Sequence, residues 1–400
     1  MKKLLSLLLA SVMLLGLLSA CAGSGASSQT TASDTSNPSG DPSWIGSTAA
    51  SNTSDPSDTS DTITITDHAG HTVELPRKIE RIAVCDIYPL ASVLAVFFNS
   101  AEKLVAIPDA SMLAAKNGLL GQLYPEILDV PTECVSGTPN VEELAKLSPD
   151  VVFYSASDEG IGDTLRGAGF AAVAISVNNW GYDCIETLNQ WISLLGTLFP
   201  ENDKAAAVKA YSDEAYADVQ SRVAGLSDDE RARIFVMFQY SETNLLTSGA
   251  NFFGQWWCDA IGAVNAASEI PKDNAAPVNL EQVYAWNPDV ILVTNFTKAQ
   301  PADILNSTIG SDDWSGIAAV QNGRVYKMPL GMYRSYTPGA DTPVTLYWLA
   351  KTVYPALFED VDVTAKAKEY YADVFGVTLT DEQVASIFAP ASEAGGVVLN

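Results

Sequence analysis

Arg334 stands between Tyr333 and Tyr336 in a Tyr-Arg-Ser-Tyr run. A guanidinium flanked by aromatic rings suits a carboxylate, an oxyanion or an anionic chelate, held by paired N–H donors and by packing on ring faces. Other reactive residue types offer less. His68 and His71 sit in Asp67-His-Ala-Gly-His, a turn sequence with no third ligand type nearby, so turn residues are expected rather than a metal centre. Cys85, Cys134, Cys184 and Cys258 are too widely spaced for a zinc site. One or two disulfides among them, or buried free thiols, both fit the spacing. No G-x-S-x-G, P-loop or H-E-x-x-H run occurs. The run from Gly167 to Ala172 matches G-x-G-x-x-A in letters only, because it follows a helical stretch and precedes a strand.

The elements that would carry Arg334 are short apolar segments alternating with helical ones. Strands are predicted at 81–84, 104–107, 151–154, 172–176, 234–238, 244–247, 290–293 and 324–328. Helices are predicted at 88–99, 141–148, 160–168, 184–199, 252–261, 280–286, 342–353, 364–375 and 381–388, with the longest at 201–224. A β-hairpin over 62–75 precedes them. Such alternation indicates an α/β fold with parallel sheets covered by helices. Ligands bind beyond the carboxyl ends of such strands. That rule selects Asp86, Tyr88, Asp109, Ser155, Ser157 and Asn178 to Trp180 in the first half. In the second half it selects Gln239, Tyr240, Asn251, Phe252, Asn295 and Phe296, together with Tyr333, Arg334 and Tyr336.

One segment recurs. Asn140-Val-Glu-Glu-Leu-Ala-Lys-Leu-Ser-Pro-Asp150-Val-Val-Phe matches Asn279-Leu-Glu-Gln-Val-Tyr-Ala-Trp-Asn-Pro-Asp289-Val-Ile-Leu at a constant offset of 139 residues. In each copy an Asn caps a short helix, a Glu sits in its first turn, and Pro-Asp ends it before a buried strand. Two similarly built lobes are expected, one on each side of the long helix. With 400 residues there is room for both, and the net charge of −26 argues against a nucleic-acid partner.

The N-terminus reads as an address. Lys2 and Lys3 precede an apolar stretch over 4–18, and Leu18-Ser-Ala-Cys21 follows. This resembles the lipobox of bacterial lipoprotein precursors, which implies cleavage before Cys21 and diacylation of its sulfur. Residues 21–60 hold 18 Ser or Thr in 40 positions and almost nothing to bury, so a disordered tether is expected. Residues 61–400 retain 20 basic and 44 acidic residues, a net charge of −24.

Lipobox, tether, hairpin, paired repeats and long helix together resemble the substrate-binding lipoproteins of ABC importers, in the class III group that takes up iron–siderophore, haem or cobalamin complexes. The resemblance covers about residues 62–388. It implies two Rossmann-like lobes joined by one rigid helix, with the ligand cleft between them. The expected divisions are a signal peptide at 1–20, the tether at 21–60, an N-terminal lobe at 61–182, a helical connection at 183–225, a C-terminal lobe at 226–390 and a tail at 391–400. It also implies that Glu142 and Glu281, the repeated first-turn acids, dock on the two permease subunits. The expected protein is a monomer with no catalysis, cofactor or resident metal, tethered by lipid to the outer face of the cell membrane. It passes a metal chelate, chiefly a ferric siderophore, to a permease dimer with its ATPase. A corrinoid, haem or a molybdate-type oxyanion are alternative ligands. An extracytoplasmic enzyme and a surface adhesin are the rival classes; the first lacks any recognisable acid–base or nucleophile–base spacing.

Overall fold

The computed structural model describes residues 61–395. The expected signal peptide and tether, with Cys21, and the last five residues lie outside the described residues. Strands β1 (Thr62–Thr66) and β2 (Thr72–Pro76) form the expected antiparallel hairpin. Its inward residues Ile65, Val73 and Leu75 pack into the first core.

The first lobe is a four-stranded parallel sheet of β3 (Ile82–Val84), β4 (Leu104–Ala106), β5 (Val151–Ser155) and β6 (Ala172–Ile175), in the order β4-β3-β5-β6. Its strands are buried on both faces, as a helix-covered parallel sheet requires. The second sheet contains β7 (Arg233–Ser241), β8 (Asn244–Ser248), β9 (Val264–Asn265), β10 (Ala275–Pro277), β11 (Val290–Val293) and β12 (Val325–Lys327). Here β7, β9, β11 and β12 are parallel, while β8 runs antiparallel to both its neighbours, β7 and β10. The alternation in sequence predicted a parallel sheet. The link from β7 to β8, Glu242 and Thr243, is too short for a crossover and permits only an antiparallel return.

The repeat occupies equivalent places in both lobes. The Asn140 side chain accepts from the Glu143 backbone N–H and caps Val141–Lys146; Asn279 does the same with Gln282 for Leu280–Trp286. Each helix leads through Pro-Asp into β5 or β11. The Asp150 carboxylate accepts from the Glu80 and Arg81 N–H groups at 2.8 and 2.9 Å, and the Asp289 carboxylate accepts from the Arg233 N–H at 2.8 Å. Each aspartate therefore fastens its own strand to the start of the neighbouring one.

Helix Lys204–Val223 joins the lobes and is about 30 Å long. Val208 near its start belongs to the first core, and Ala215, Val219 and Val223 belong to the second. Helix Thr342–Val353 is a second bridge, with Val344 in the first core and Leu346 to Val353 in the second. Helices Val363–Phe375 and Asp381–Phe388 then bury Tyr370, Tyr371, Phe375, Val384 and Ile387 in the first core. The expected second-lobe span of 226–390 is corrected at this point, because residues 363–388 pack with the first lobe. An amphipathic pattern specifies a helix face without naming the surface that covers it.

Candidate functional site

The ends of both sheets meet across a cleft with a volume of about 420 Å³. Asp86, Tyr88, Ser155, Ser157 and Asn178 line it from the first lobe, each just past the carboxyl end of a strand. Phe238, Phe252, Phe253 and Phe296 face them from the second. Phe238 and Phe296 stack at 4.8 Å, and Tyr182 of the first lobe meets Phe253 edge-on at 5.1 Å. The walls are therefore mainly aromatic, with Asp86 and Asp273 supplying carboxylates.

Asp86 has a left-handed backbone, φ +58°, which is uncommon for an aspartate and turns the chain out of β3. Its carboxylate accepts from the Tyr88 hydroxyl at 2.8 Å. Burial raises the Asp86 carboxyl above its ordinary range; the Tyr88 bond opposes this and nearby Asp158 adds to it. Burial first, then the bond to Asp86, pushes the Tyr88 phenol up as well.

Behind Phe296 lies Arg334, fully buried. Its guanidinium carbon stands 4.7 Å from the Phe296 ring centre and 5.9 Å from that of Tyr333. Nη2 donates to the Ala394 carbonyl at 3.2 Å, while Nε and Nη1 have no hydrogen-bond partner among the described residues. No carboxylate pairs with it among those residues. Nearby polar atoms are also unpartnered: the Tyr333 hydroxyl, Ser335 Oγ and Asn295 Oδ1. Burial pulls Arg334 below its ordinary value, and pushes Tyr333 up to about 12 against the attraction of the guanidinium. Lys327, also buried, donates to the Thr297 and Ala299 carbonyls at 2.8 and 2.7 Å. Burial and the Arg334 charge lower its amine to about 7, with Asp303 acting the other way. An unpaired buried cation costs several kcal/mol unless something negative meets it. This part of the second lobe holds two buried cations whose hydrogen-bond partners among the described residues are backbone carbonyls.

The family model described as periplasmic binding protein matches residues 102–330. The chain belongs to the class III periplasmic binding proteins. It is therefore a solute-binding protein of an ABC importer. It is 26% identical to the molybdate-binding protein MolA of Haemophilus influenzae over 349 residues, covering 80% of this chain and 93% of MolA. A periplasmic solute binding protein from Veillonella parvula superposes with a TM-score of 0.73 at 28% identity, covering 82% of this chain and 97% of that one. A nickel–histidine complex of Helicobacter pylori CeuE shares the fold at 22% identity and a TM-score of 0.65, covering 82% and 99%.

Of the residues selected from sequence, this binding protein brings Asp86, Tyr88, Ser155, Ser157, Asn178, Phe252 and Phe296 to the cleft lining, with Arg334 and Tyr333 directly behind it, while Asp109 and Asn251 are exposed outside it. Tyr336 is buried beneath the aromatic wall, donating to Ser248 Oγ at 2.8 Å. Asn295 donates to the Met328 and Pro329 carbonyls and holds the start of the Arg334 loop. Gln239 is buried and accepts from the Asn244 amide at 3.4 Å. Tyr240 lies elsewhere, with Asp312 and Trp314 on the outer face of the second sheet. Trp180 packs edge-on against His68 at 5.0 Å, away from the lining. Tyr182, Phe238 and Phe253 line the cleft without having been selected.

Glu142 and Glu281 are both exposed on their capped helices. All four cysteines of the described residues are buried free thiols. His68 Nδ1 accepts from the Ser176 N–H, and His71 Nδ1 lies 3.2 Å from the Asp67 carboxylate. Both histidines are turn residues, as their sequence context suggests.

Proposed function

We propose that this binding protein captures a small anion, an oxyanion of the molybdate class, and releases it to its permease without catalysis. The carrying observation is Arg334: a fully buried guanidinium that has, among the described residues, no carboxylate partner and two unpartnered donors, one ring away from the cleft. Tetrahedral oxyanions accept the two parallel bonds a guanidinium offers. The Tyr333 and Ser335 hydroxyls can donate to the remaining oxygens. The likeness to MolA supports the same ligand class.

An anionic metal chelate such as a ferric siderophore is the second reading. The aromatic walls and the cleft volume of about 420 Å³ favour it, since a bare oxyanion needs less room and fewer rings. Thermal melting against molybdate, tungstate, ferric siderophores, haem and corrinoids separates these readings. A true ligand stabilises by RT ln(1 + [L]/Kd), about 2.7 kcal/mol at one hundred times Kd. A shift with chelates alone removes the oxyanion reading, and no shift with any of them removes both.

Cys21 is proposed as the lipidated residue that tethers the monomer outside the membrane, and Glu142 with Glu281 as its two permease contacts. Membrane fractionation of Cys21→Ala tests the first; unchanged processing and retention would sink it.

A further inference from the structure

The tail of the described chain returns to the binding region. After helix Asp381–Phe388, a single turn at Ser392–Ala394 places Ala394 in a fully buried position among Ala114, Leu330 and Tyr333, with Tyr88 packed alongside. Ala114 and Tyr88 belong to the first lobe, and Leu330 and Tyr333 follow the last strand of the second. Gly395 lies against the backbone of Thr297 and Lys298 so closely that a Cβ there would run into the Thr297 carbonyl. The same carbonyl accepts from Lys327. Residues 391–395 therefore span both lobes and cover the region that holds the two buried cations.

The contact with Arg334 is specific. The Ala394 carbonyl oxygen is the hydrogen-bond acceptor of Nη2, at 3.2 Å. A guanidinium grips an anion with two parallel bonds through either of two forks, Nε with Nη2 or Nη1 with Nη2. Both forks include Nη2. A neutral carbonyl meets the geometry of one anion oxygen without supplying its charge, so it holds the guanidinium less strongly than an anion would.

We propose that residues 391–395 are an internal stand-in for the ligand: the Ala394 carbonyl occupies the place of an anion oxygen on Arg334, and the segment leaves when the anion binds. The inference rests on Arg334 being the anchor. While the segment is seated it covers the guanidinium and ties the lobes together. The measured affinity is then the intrinsic affinity reduced by the fraction of molecules whose segment is out. Entry of the anion frees the tie across the cleft at the same moment as it neutralises the cation.

Two variants test this: deletion of residues 391–400, and Gly395→Val in the full chain, which unseats the segment by the overlap at Thr297. Molybdate binding is measured by calorimetry, and Arg334 reactivity by labelling with an arginine-selective dicarbonyl followed by peptide mapping. Circular dichroism confirms that each variant is folded, and the point variant stands alone if the deletion does not fold. Both variants should bind molybdate about fivefold or more tightly than the unaltered protein, since the occupied fraction is removed. Arg334 should label about tenfold faster in each, as expected when a cover with a small open fraction is lost. Equal or weaker binding in the variants overturns the inference and makes the segment part of the site wall. Labelling that does not change overturns it whether or not molybdate binds. If no form binds molybdate yet labelling rises in both variants, the oxyanion reading falls while the segment stands as the cover of the guanidinium.

Discussion

Phe296 and Arg334 form a stacked pair through the wall of the cleft. The ring lines the cleft, and the guanidinium stands 4.7 Å behind its centre. Cation–π attraction offsets part of the cost of burying the charge. A small displacement of the ring would put the cation in contact with whatever occupies the cleft.

Arg334→Met should therefore separate binding from stability. Anion affinity should fall at least about tenfold, roughly 1.4 kcal/mol. The melting temperature without ligand should stay level or rise, because an unpaired buried charge is replaced by an apolar chain of similar length. Calorimetry with molybdate and melting without it check both halves. A large loss of stability would show that the guanidinium is a structural post instead.

Asp341 builds the loop that carries the arginine. Its carboxylate accepts from the Met332 N–H at 2.7 Å and from the Tyr371 hydroxyl, and Gly331 packs so close that a side chain there would collide with it. Burial pushes this carboxyl up to about 6. Asp341→Ala leaves buried donors without acceptors and should cost about 2–4 kcal/mol in urea unfolding. Asp341→Asn retains one acceptor and should recover part of that loss together with ligand binding.

His68 gives the protein an acid-sensitive contribution. Burial lowers its imidazole from 6.5 to about 4, only partly offset by Asp67, and Nδ1 must stay unprotonated to accept from Ser176. Between these values the unfolded chain holds a proton that the folded chain refuses. The His68 contribution is thus whole above pH 6.5 and is lost as pH falls towards 4. The full span is worth at most about 3 kcal/mol. Urea midpoints across this range should fall less steeply in His68→Gln; parallel slopes in the two proteins would refute the assignment.

Glu142→Arg combined with Glu281→Arg should abolish uptake in cells while leaving ligand affinity within about twofold, because exposed charges far from a site are screened. A loss of affinity in the purified double variant would remove the docking roles.

Local signals were the legible ones. The Asn caps, the Pro-Asp breaks and the strand starts depend on neighbours a few residues away, and the structure reproduces them at both copies of the repeat. The strand-end rule placed Asp86, Tyr88 and Phe252 in the lining for the same reason. Tyr240 failed because of a β-bulge. Along β7, Ile234, Val236 and Phe238 face the core shared with the cleft wall, while Phe235 and Met237 face the outer core. An even-numbered Tyr240 should follow Phe238. The register shift between Met237 and Gln239 reverses the alternation and sends it outward to Trp314. Trp180 failed because the left-handed residues Gly181 and Tyr182 turn the chain just after it, so that Tyr182 reaches the cleft instead. The return of the last helices to the first lobe had no local marker, and neither did the lack of a carboxylate partner for Arg334 among the described residues. Both depend on which distant surfaces meet.

That return has a mechanical meaning. The chain starts on the first lobe, passes to the second along Lys204–Val223, meets the first core again at Met332, Ala340 and Val344, runs back into the second along Thr342–Val353, and finishes on the first from Ala367 onward. The lobes are thus tied at several places along the chain, and two of the ties are helical struts. The two helices pack on each other and stiffen the joint against twist. A single protease nick in either strut would leave the halves fastened, so severing the chain need not separate its jaws.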